Sequence, residues 1–137
     1  MNEAKSAEVQ AWLRKASADL RAAEIDLGAQ PPLIEDALFH CQQAVEKTLK
    51  AFLTARDSPF RKTHDLDELG RMCIEHDRSL ENVLLSATYL TVFAWEFRYP
   101  GESTIPPLGE AVDARHMATR VYEAVMDKLR GEITESS

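Results

Sequence analysis

Apolar residues recur at steps of three and four along most of the chain, which is the period of an α-helix with one buried face. The periodic segments span about 6–27, 33–56, 65–76, 79–98 and 108–129. Strand signals are nearly absent, since no segment alternates apolar and polar residues and no Asn-Gly or Asp-Gly turn occurs. The pattern predicts an all-α fold, an up-and-down helical bundle of four long helices plus one short helix.

The breaks between these segments carry ordinary helix-ending signals. Gly28 precedes Pro31 and Pro32, Pro59 follows the second segment, and Pro100 begins the break after the fourth. No linker, internal repeat or low-complexity tract interrupts the pattern. Residues 1–137 are therefore predicted to form a single domain, with a polar tail from about residue 131.

The fourth segment differs from the others because it is apolar around nearly its whole circumference. One stripe suits the core of the bundle, and a second set of large apolar residues lies on the reverse side. A helix of this kind is buried on both sides. We expect the second side to form a homodimer interface through Leu85, Tyr89, Val92 and Phe93.

The second segment contains FHCQQAVEKTLKAFL (residues 39–53), in which a polar row runs beside the apolar face. The row follows alternating steps of four and three, so its side chains are able to face one ligand. Its two interpretations are a phosphate-binding site and the solvated side of a helix. The row comprises Asp36, His40, Gln43, Lys47 and Lys50.

Two short stretches add further polar candidates. In THDL (residues 63–66), His64 and Asp65 either pair beside the lysines of the polar row, or Asp65 and Thr63 cap a helix. In FRYP (residues 97–100), Arg98 beside Tyr99 either complements a helix dipole or grips a phosphate with its guanidinium.

Charge and missing motifs narrow the function classes. The net charge of −7 argues against non-specific nucleic-acid binding, although Arg56, Arg61 and Lys62 form a local basic region. The chain lacks phosphate-binding glycine loops, nucleophile elbows and metal-binding His or Cys spacings, so it predicts no metal and no cofactor. Cys41 and Cys73 occupy apolar helical positions and are expected in the core.

The same composition bears on location. No apolar run approaches the roughly 20 residues that span a bilayer, and MNEAKSAEVQ lacks the apolar centre of a signal peptide. The expectation is a cytoplasmic protein that does not contact a membrane.

Three of these stretches together resemble the HEPN family of small helical proteins, which are often encoded beside a minimal nucleotidyltransferase. The resemblance lies in QQAVEKTLKAFL (residues 42–53), THDL and RYP (residues 98–100), in that order and separation, and it covers nearly the whole chain. It implies a helical bundle, usually a homodimer in the cytoplasm. For the polar row, it implies either a polar site or a helix-to-helix network. Many relatives are toxins of toxin–antitoxin pairs that cleave RNA without metal, using an Arg followed four to six residues later by a His.

The chain departs from that catalytic pattern. Arg98 is the natural counterpart of the family's arginine, but no His follows it in the window. Arg71 and His76 satisfy the spacing, yet they belong to the short third helix and are expected to face solvent. Arg98 is therefore the candidate for stabilising charge, and His64 the candidate for proton transfer from elsewhere in the chain.

Three functions remain open from the sequence. The first is a dimeric partner of a nucleotidyltransferase that binds nucleotide or RNA phosphate through Gln43, Lys47, Lys50, His64, Asp65, Arg98 and Tyr99. The second is a metal-independent RNase with a rearranged Arg/His site. The third is a structural adaptor bundle without a ligand.

Overall fold

The computed structural model describes residues 1–96 and 104–135, with side chains through residue 133, and within these ranges it contains helices and no strands. The all-α prediction is therefore confirmed for the described part of the chain. Two 3-10 segments, Arg78–Leu80 and Thr88–Ala94, flank α4. The α-helices are α1 (Glu3–Gly28), α2 (Ile34–Ala55), α3 (Leu66–His76), α4 (Glu81–Ala87) and α5 (Leu108–Glu135).

The core lies around α2, which packs against α1, α3 and α5. α1 and α2 form the most extensive helix pair, and the larger part of α2 is buried. Cys41 and Cys73 are fully buried free thiols, as expected, and burial raises the pKa of each thiol to about 12. The largest fully buried side chains include Phe52, Leu38, Leu49, Leu53, Leu66 and Leu69.

The helix boundaries follow local signals. The Asn2 side chain caps α1 by accepting a 2.8 Å hydrogen bond from the backbone N–H of Lys5, and α1 ends at Gly28 as predicted. Asp65 is the N-cap of α3 and accepts a 2.9 Å hydrogen bond from the N–H of Asp67. The capping interpretation of the THDL stretch is thus confirmed for Asp65, whereas the Thr63 hydroxyl accepts from the N–H of Asp65 itself.

The fourth predicted helix is not continuous, so the described residues form three long α-helices rather than four. α4 covers only Glu81–Ala87, and the chain then tightens into the 3-10 segment Thr88–Ala94. That segment reads TYLTVFA, in which β-branched and aromatic residues lose side-chain freedom in an α-helix. Thr91 also uses its hydroxyl to accept a 3.0 Å hydrogen bond from the backbone N–H of Leu66.

The predicted dimer face is exposed along most of its length. Leu85, Tyr89 and Val92 are 36%, 52% and 42% exposed, whereas Phe93 is partly buried against the core.

Within the described ranges, no helix combines the length and apolar character that crossing a bilayer requires.

Candidate functional site

A buried carboxylate, Glu46, lies at the centre of the predicted polar region. Glu46 is 4% exposed on the inner side of α2, one turn after Gln42 and one turn before Lys50. A buried carboxylate without donors is strongly unfavourable, so its partners decide whether it remains ionised. We call Gln42, Glu46, Lys50 and His64 the Glu46 cluster.

Glu46 is hydrogen-bonded through both carboxylate oxygens. Oε1 accepts from Gln42 Nε2 at 3.0 Å and lies 2.7 Å from His64 Nδ1, and Oε2 accepts from Lys50 Nζ at 2.9 Å. Gln42 is fixed in turn, because its Oε1 accepts from Gln43 Nε2 at 2.6 Å and its Nε2 also reaches the carbonyl of His64 at 3.3 Å. Every member of the cluster is therefore held in place by at least one other group.

These donors set the charge of Glu46. Burial is the largest single effect and raises the pKa of Glu46, but hydrogen bonds from Gln42, Lys50 and His64, with the charge of Lys50, outweigh it. The net pKa of Glu46 lies below its usual range. The carboxylate is consequently ionised at neutral pH although it is almost inaccessible to water.

Lys50 is enclosed by aromatic rings as well as by its ion pair. It is 8% exposed, and its Nζ lies 5.6 Å from the Trp12 ring centroid and 5.8 Å from the Phe60 ring centroid. Ring faces attract a cation, so the rings and Glu46 together compensate for its removal from water. In this conformation the ammonium of Lys50 faces Glu46 and the rings.

His64 is the exposed member of the Glu46 cluster. Its side chain is 57% exposed, while the Glu46 carboxylate beneath it is 5% exposed. Because Glu46 is ionised, we assign the Nδ1 contact as an N–H that donates to Oε1. This assignment leaves Nε2 available for contact with a ligand, either as a lone pair or, in the protonated ring, as a second donor.

The THDL loop presents His64 from a short, well-bonded turn. The N–H of Asp65 donates to Thr63 Oγ1 at 3.1 Å, and the Asp65 carboxylate caps α3. His64 therefore contacts Glu46 rather than its neighbour Asp65, which is occupied with the helix end. The prediction placed His64 beside the polar row correctly but chose a different acidic partner.

The rest of the polar row forms a second network centred on Asp19 of α1. Asp19 Oδ2 accepts from Lys47 Nζ at 2.7 Å, and Asp19 Oδ1 lies 2.8 Å from His40 Nδ1. His40 Nε2 in turn lies 3.3 Å from Asp36 Oδ2. The helix-to-helix interpretation of the row is thus observed, since α1 supplies the acidic centre. Whether the lysines also bind phosphate remains a prediction.

Most of the remaining cationic candidates are paired or lie outside the described residues, and Lys62 is exposed. Arg56 Nη1 donates to Glu132 at 2.9 Å, and Arg61 donates to Glu68 at 2.8–3.0 Å. Arg71 is exposed and bonded to Asp67, as expected for a solvent-facing side chain. Arg98 and Tyr99 lie outside the described residues, so their roles remain predictions.

Sequence reasoning did not select Glu46, Asp19 or Asp26 as site residues. Asp19 and Asp26 are 7% and 8% exposed, on a face of α1 that also buries Ala16 and Ala23. Their spacing of seven residues along an otherwise apolar face was the available signal. The apolar stripe alone predicts that the neighbouring Leu20 and Leu27 are buried, but the structure buries them only in part.

The fold and site define a helical bundle protein in which the loop between α2 and α3 places an exposed imidazole over a buried, ionised carboxylate of α2. The family model described as HEPN domain matches residues 9–130. Because this match covers most of the chain, the protein belongs to the HEPN domain family, which comprises nucleotide- or RNA-binding and RNase-like proteins. Comparison with curated proteins and with solved structures gave no match.

Proposed function

We propose that this protein binds the phosphate of RNA or of a nucleotide at His64. The observation that carries the proposal is the 2.7 Å contact between His64 Nδ1 and the buried Glu46, beside a 57% exposed imidazole. A carboxylate held in this way fixes the ring orientation, and an imidazole with a proton on each nitrogen can donate to Glu46 and to a phosphate oxygen at once. Arg98 and Tyr99 remain proposed contributors from the sequence.

The overall charge defines what kind of binding is expected. With a net charge of −7, and with Arg56 and Arg61 paired to glutamates, a long stretch of phosphates finds little attraction on the described surface. A few local contacts at His64 fit one or two phosphates. We therefore expect the affinity for RNA to fall only weakly as salt is added. The slope of log affinity against log salt concentration should correspond to the release of one or two counterions.

Binding of a fluorescein-labelled RNA oligonucleotide, followed by anisotropy, tests this proposal. His64→Ala is expected to weaken binding about tenfold or more, while His76→Ala, on the exposed end of α3, serves as the matched control. Lys47→Ala and Lys50→Ala test the lysine row, and circular dichroism reports whether each variant keeps its fold. Equal affinity of the wild type and His64→Ala would rule out His64 as the phosphate contact.

A second candidate function is metal-independent RNA cleavage. It is favoured by the same pair, because a buried carboxylate that orients an imidazole suits general acid–base catalysis. In this reaction His64 Nε2 takes the proton of a ribose 2′-hydroxyl and the 2′-oxygen attacks the adjacent phosphorus. The bond from phosphorus to the 5′-oxygen of the next nucleotide breaks, that oxygen takes a proton from water, and a 2′,3′-cyclic phosphate remains. Arg98 is proposed to stabilise the charge that develops on the phosphoryl oxygens.

Cleavage of RNA in EDTA separates the two candidates. An RNase is expected to cut in EDTA and to lose that activity in both His64→Ala and Arg98→Ala. A binding protein is expected to retain RNA on a filter without cutting it. A chain that does neither supports the third possibility, an adaptor bundle without a ligand.

The proposed biological setting is a homodimer that pairs with a minimal nucleotidyltransferase in a toxin–antitoxin-like system. The exposed side chains of Leu85 in α4, and of Tyr89 and Val92 in the following 3-10 segment, support self-association, since large exposed apolar side chains close together in the chain are typical of interfaces. Val92→Asp is expected to shift a dimer to the monomer mass in sedimentation. Ile25→Asp, at another exposed apolar residue, is the control and is expected to leave the mass unchanged.

A further inference from the structure

Three metal-ligating side chains meet where α1 ends and α2 begins. Asp26 lies in the last turn of α1, and Asp36 and His40 lie one turn apart at the start of α2. One potential ligand atom from each residue lies within 4.8 Å of the other two. The group is separate from the Glu46 cluster, because His40 precedes Glu46 by six residues, or about 9 Å along the helix.

Asp26 is the member whose environment calls for a further partner. The residue is 8% exposed, and its Oδ2 is buried without a hydrogen-bond partner among the described residues. Buried polar atoms normally have a partner, so such an atom needs an explanation. A carboxylate oxygen without a donor, facing a second carboxylate and an imidazole, is suited to a cation.

His40 is already oriented as a metal ligand would be. Its Nδ1 lies 2.8 Å from Asp19 Oδ1, and Asp19 Oδ2 accepts from Lys47 Nζ at 2.7 Å. With Asp19 accepting the Nδ1 proton, the lone pair of His40 lies on Nε2, which faces Asp36. Histidine ligands commonly have a carboxylate behind them in this way, since it fixes the tautomer and increases the basicity of the ring.

We propose that Asp26, Asp36 and His40 form a binding site for a divalent transition-metal ion of the zinc type. The 3.3 Å between His40 Nε2 and Asp36 Oδ2 equals the separation that bonds of about 2.0–2.1 Å give at a tetrahedral angle. Three protein ligands leave a fourth position for water, and Asp36, 56% exposed, opens the site to solvent. The ion ties the end of α1 to the start of α2.

This proposal departs from the absence of a metal that the sequence predicts. Histidine spacing within one helix does not detect the site, because one ligand comes from α1 and only one is a histidine. An alternative is an apo network in which a protonated His40 bridges Asp19 and Asp36, with a proton shared between Asp26 and Asp36. The alternative predicts no stoichiometric metal binding, so the two are distinguishable.

Titration calorimetry with zinc chloride, on protein first dialysed against EDTA, tests the site. The wild type is expected to bind one ion per chain, and Asp26→Asn and His40→Gln to bind at least about tenfold more weakly. Glu24→Gln is the matched control, since it removes a carboxylate from the same helix, where Glu24 is 70% exposed beside Arg115. Magnesium is expected to bind far more weakly than zinc, because it prefers oxygen ligands.

Two further measurements test zinc binding without an assay of the protein's function. Cobalt added in place of zinc is expected to give visible absorption bands typical of tetrahedral coordination, and these are expected to disappear in His40→Gln. Zinc is expected to raise the melting temperature of the wild type and of Glu24→Gln, but not of Asp26→Asn. Absence of saturable zinc binding, or equal affinity in Asp26→Asn and the wild type, would overturn the proposal.

Discussion

Glu46 of α2 and Asp26 of α1 are both buried carboxylates, yet their surroundings differ. Glu46 accepts hydrogen bonds from Gln42, His64 and Lys50, and its pKa is held below the usual range although burial raises it. Asp26 has an unpartnered Oδ2, and burial, followed by the adjacent Asp36 carboxyl, raises its pKa to about 6. Burial alone therefore does not determine the charge of a carboxylate; the number of donors around it does.

The largest effect is expected from removing Glu46. Glu46→Ala leaves Lys50 as a buried cation without its anion, and leaves the Gln42 amide with only its 3.3 Å hydrogen bond to the carbonyl of His64. We expect the free energy of unfolding to fall by about 3–5 kcal/mol, measured by urea denaturation. Glu68→Gln, which removes the surface partner of Arg61, is the control and is expected to change the midpoint little. A small loss in Glu46→Ala would mean that water or another group compensates for the missing carboxylate.

Removing His64 tests whether the exposed end of the Glu46 cluster serves stability or binding. His64→Ala leaves Lys50 and Gln42 on the carboxylate, so we expect a stability loss of about 1 kcal/mol or less. The loss in RNA or nucleotide affinity is expected to be clearly larger than this. A stability loss with unchanged affinity would assign His64 to the fold alone.

Replacing Asp26 is expected to change the free energy of unfolding in the opposite direction from replacing Glu46. In EDTA, Asp26→Asn removes a buried carboxylate that lacks donors while keeping its shape. We expect unchanged or greater stability, by up to about 1 kcal/mol, in thermal or urea unfolding. A clear loss of stability would show that Asp26 has a donor in solution, and the contrast with Glu46 would then fail.

The smallest expected effect is an acid pH dependence that arises from Glu46. Its folded pKa is lower than its ordinary value of 4.5, so the unfolded chain binds the proton more readily than the folded chain. This contribution to stability is present above pH 4.5 and is lost as the pH falls through the folded pKa. Glu46→Gln is expected to flatten the unfolding profile in that acid range, in urea melts at successive pH values. An unchanged slope would contradict the lowered pKa.

Periodicity predicted the helices well where one apolar face determines the structure. α1, α2 and α3 lie close to their predicted segments, and Gly28 and Asp65 mark boundaries that the sequence signals indicated. α5 begins as predicted but continues to Glu135, so the predicted polar tail is largely helical, and Ile133 packs against the core. The prediction of a continuous fourth helix was wrong in its second half. The apolar pattern there matched a helix, but residues 88–94 include several poor α-helix formers. Hydrophobic spacing detects burial, whereas the choice between α and 3-10 geometry also depends on the side-chain entropy of residues such as Thr88 and Val92.

The site was only partly predictable. The lysine row and His64 could be selected from spacing and from the family resemblance, but a helical period cannot tell whether a polar stripe faces water or another helix. The row faces α1 because it pairs with Asp19, which lies on the buried face of α1. Sequence alone favours burial of the neighbouring apolar Leu20 instead. The pairing of His64 with Glu46 depends on how the THDL loop returns to α2, which no local pattern encodes.

The enclosure of Lys50 by Trp12 has an optical consequence. The chain has two tryptophans: Trp12 borders the Glu46 cluster, while Trp95 is 49% exposed beside the apolar surface of the Thr88–Ala94 segment. Each tryptophan is therefore a natural fluorophore for a different event. In Trp95→Phe, emission reports on the cluster beneath His64; in Trp12→Phe, a blue shift with rising concentration reports on self-association.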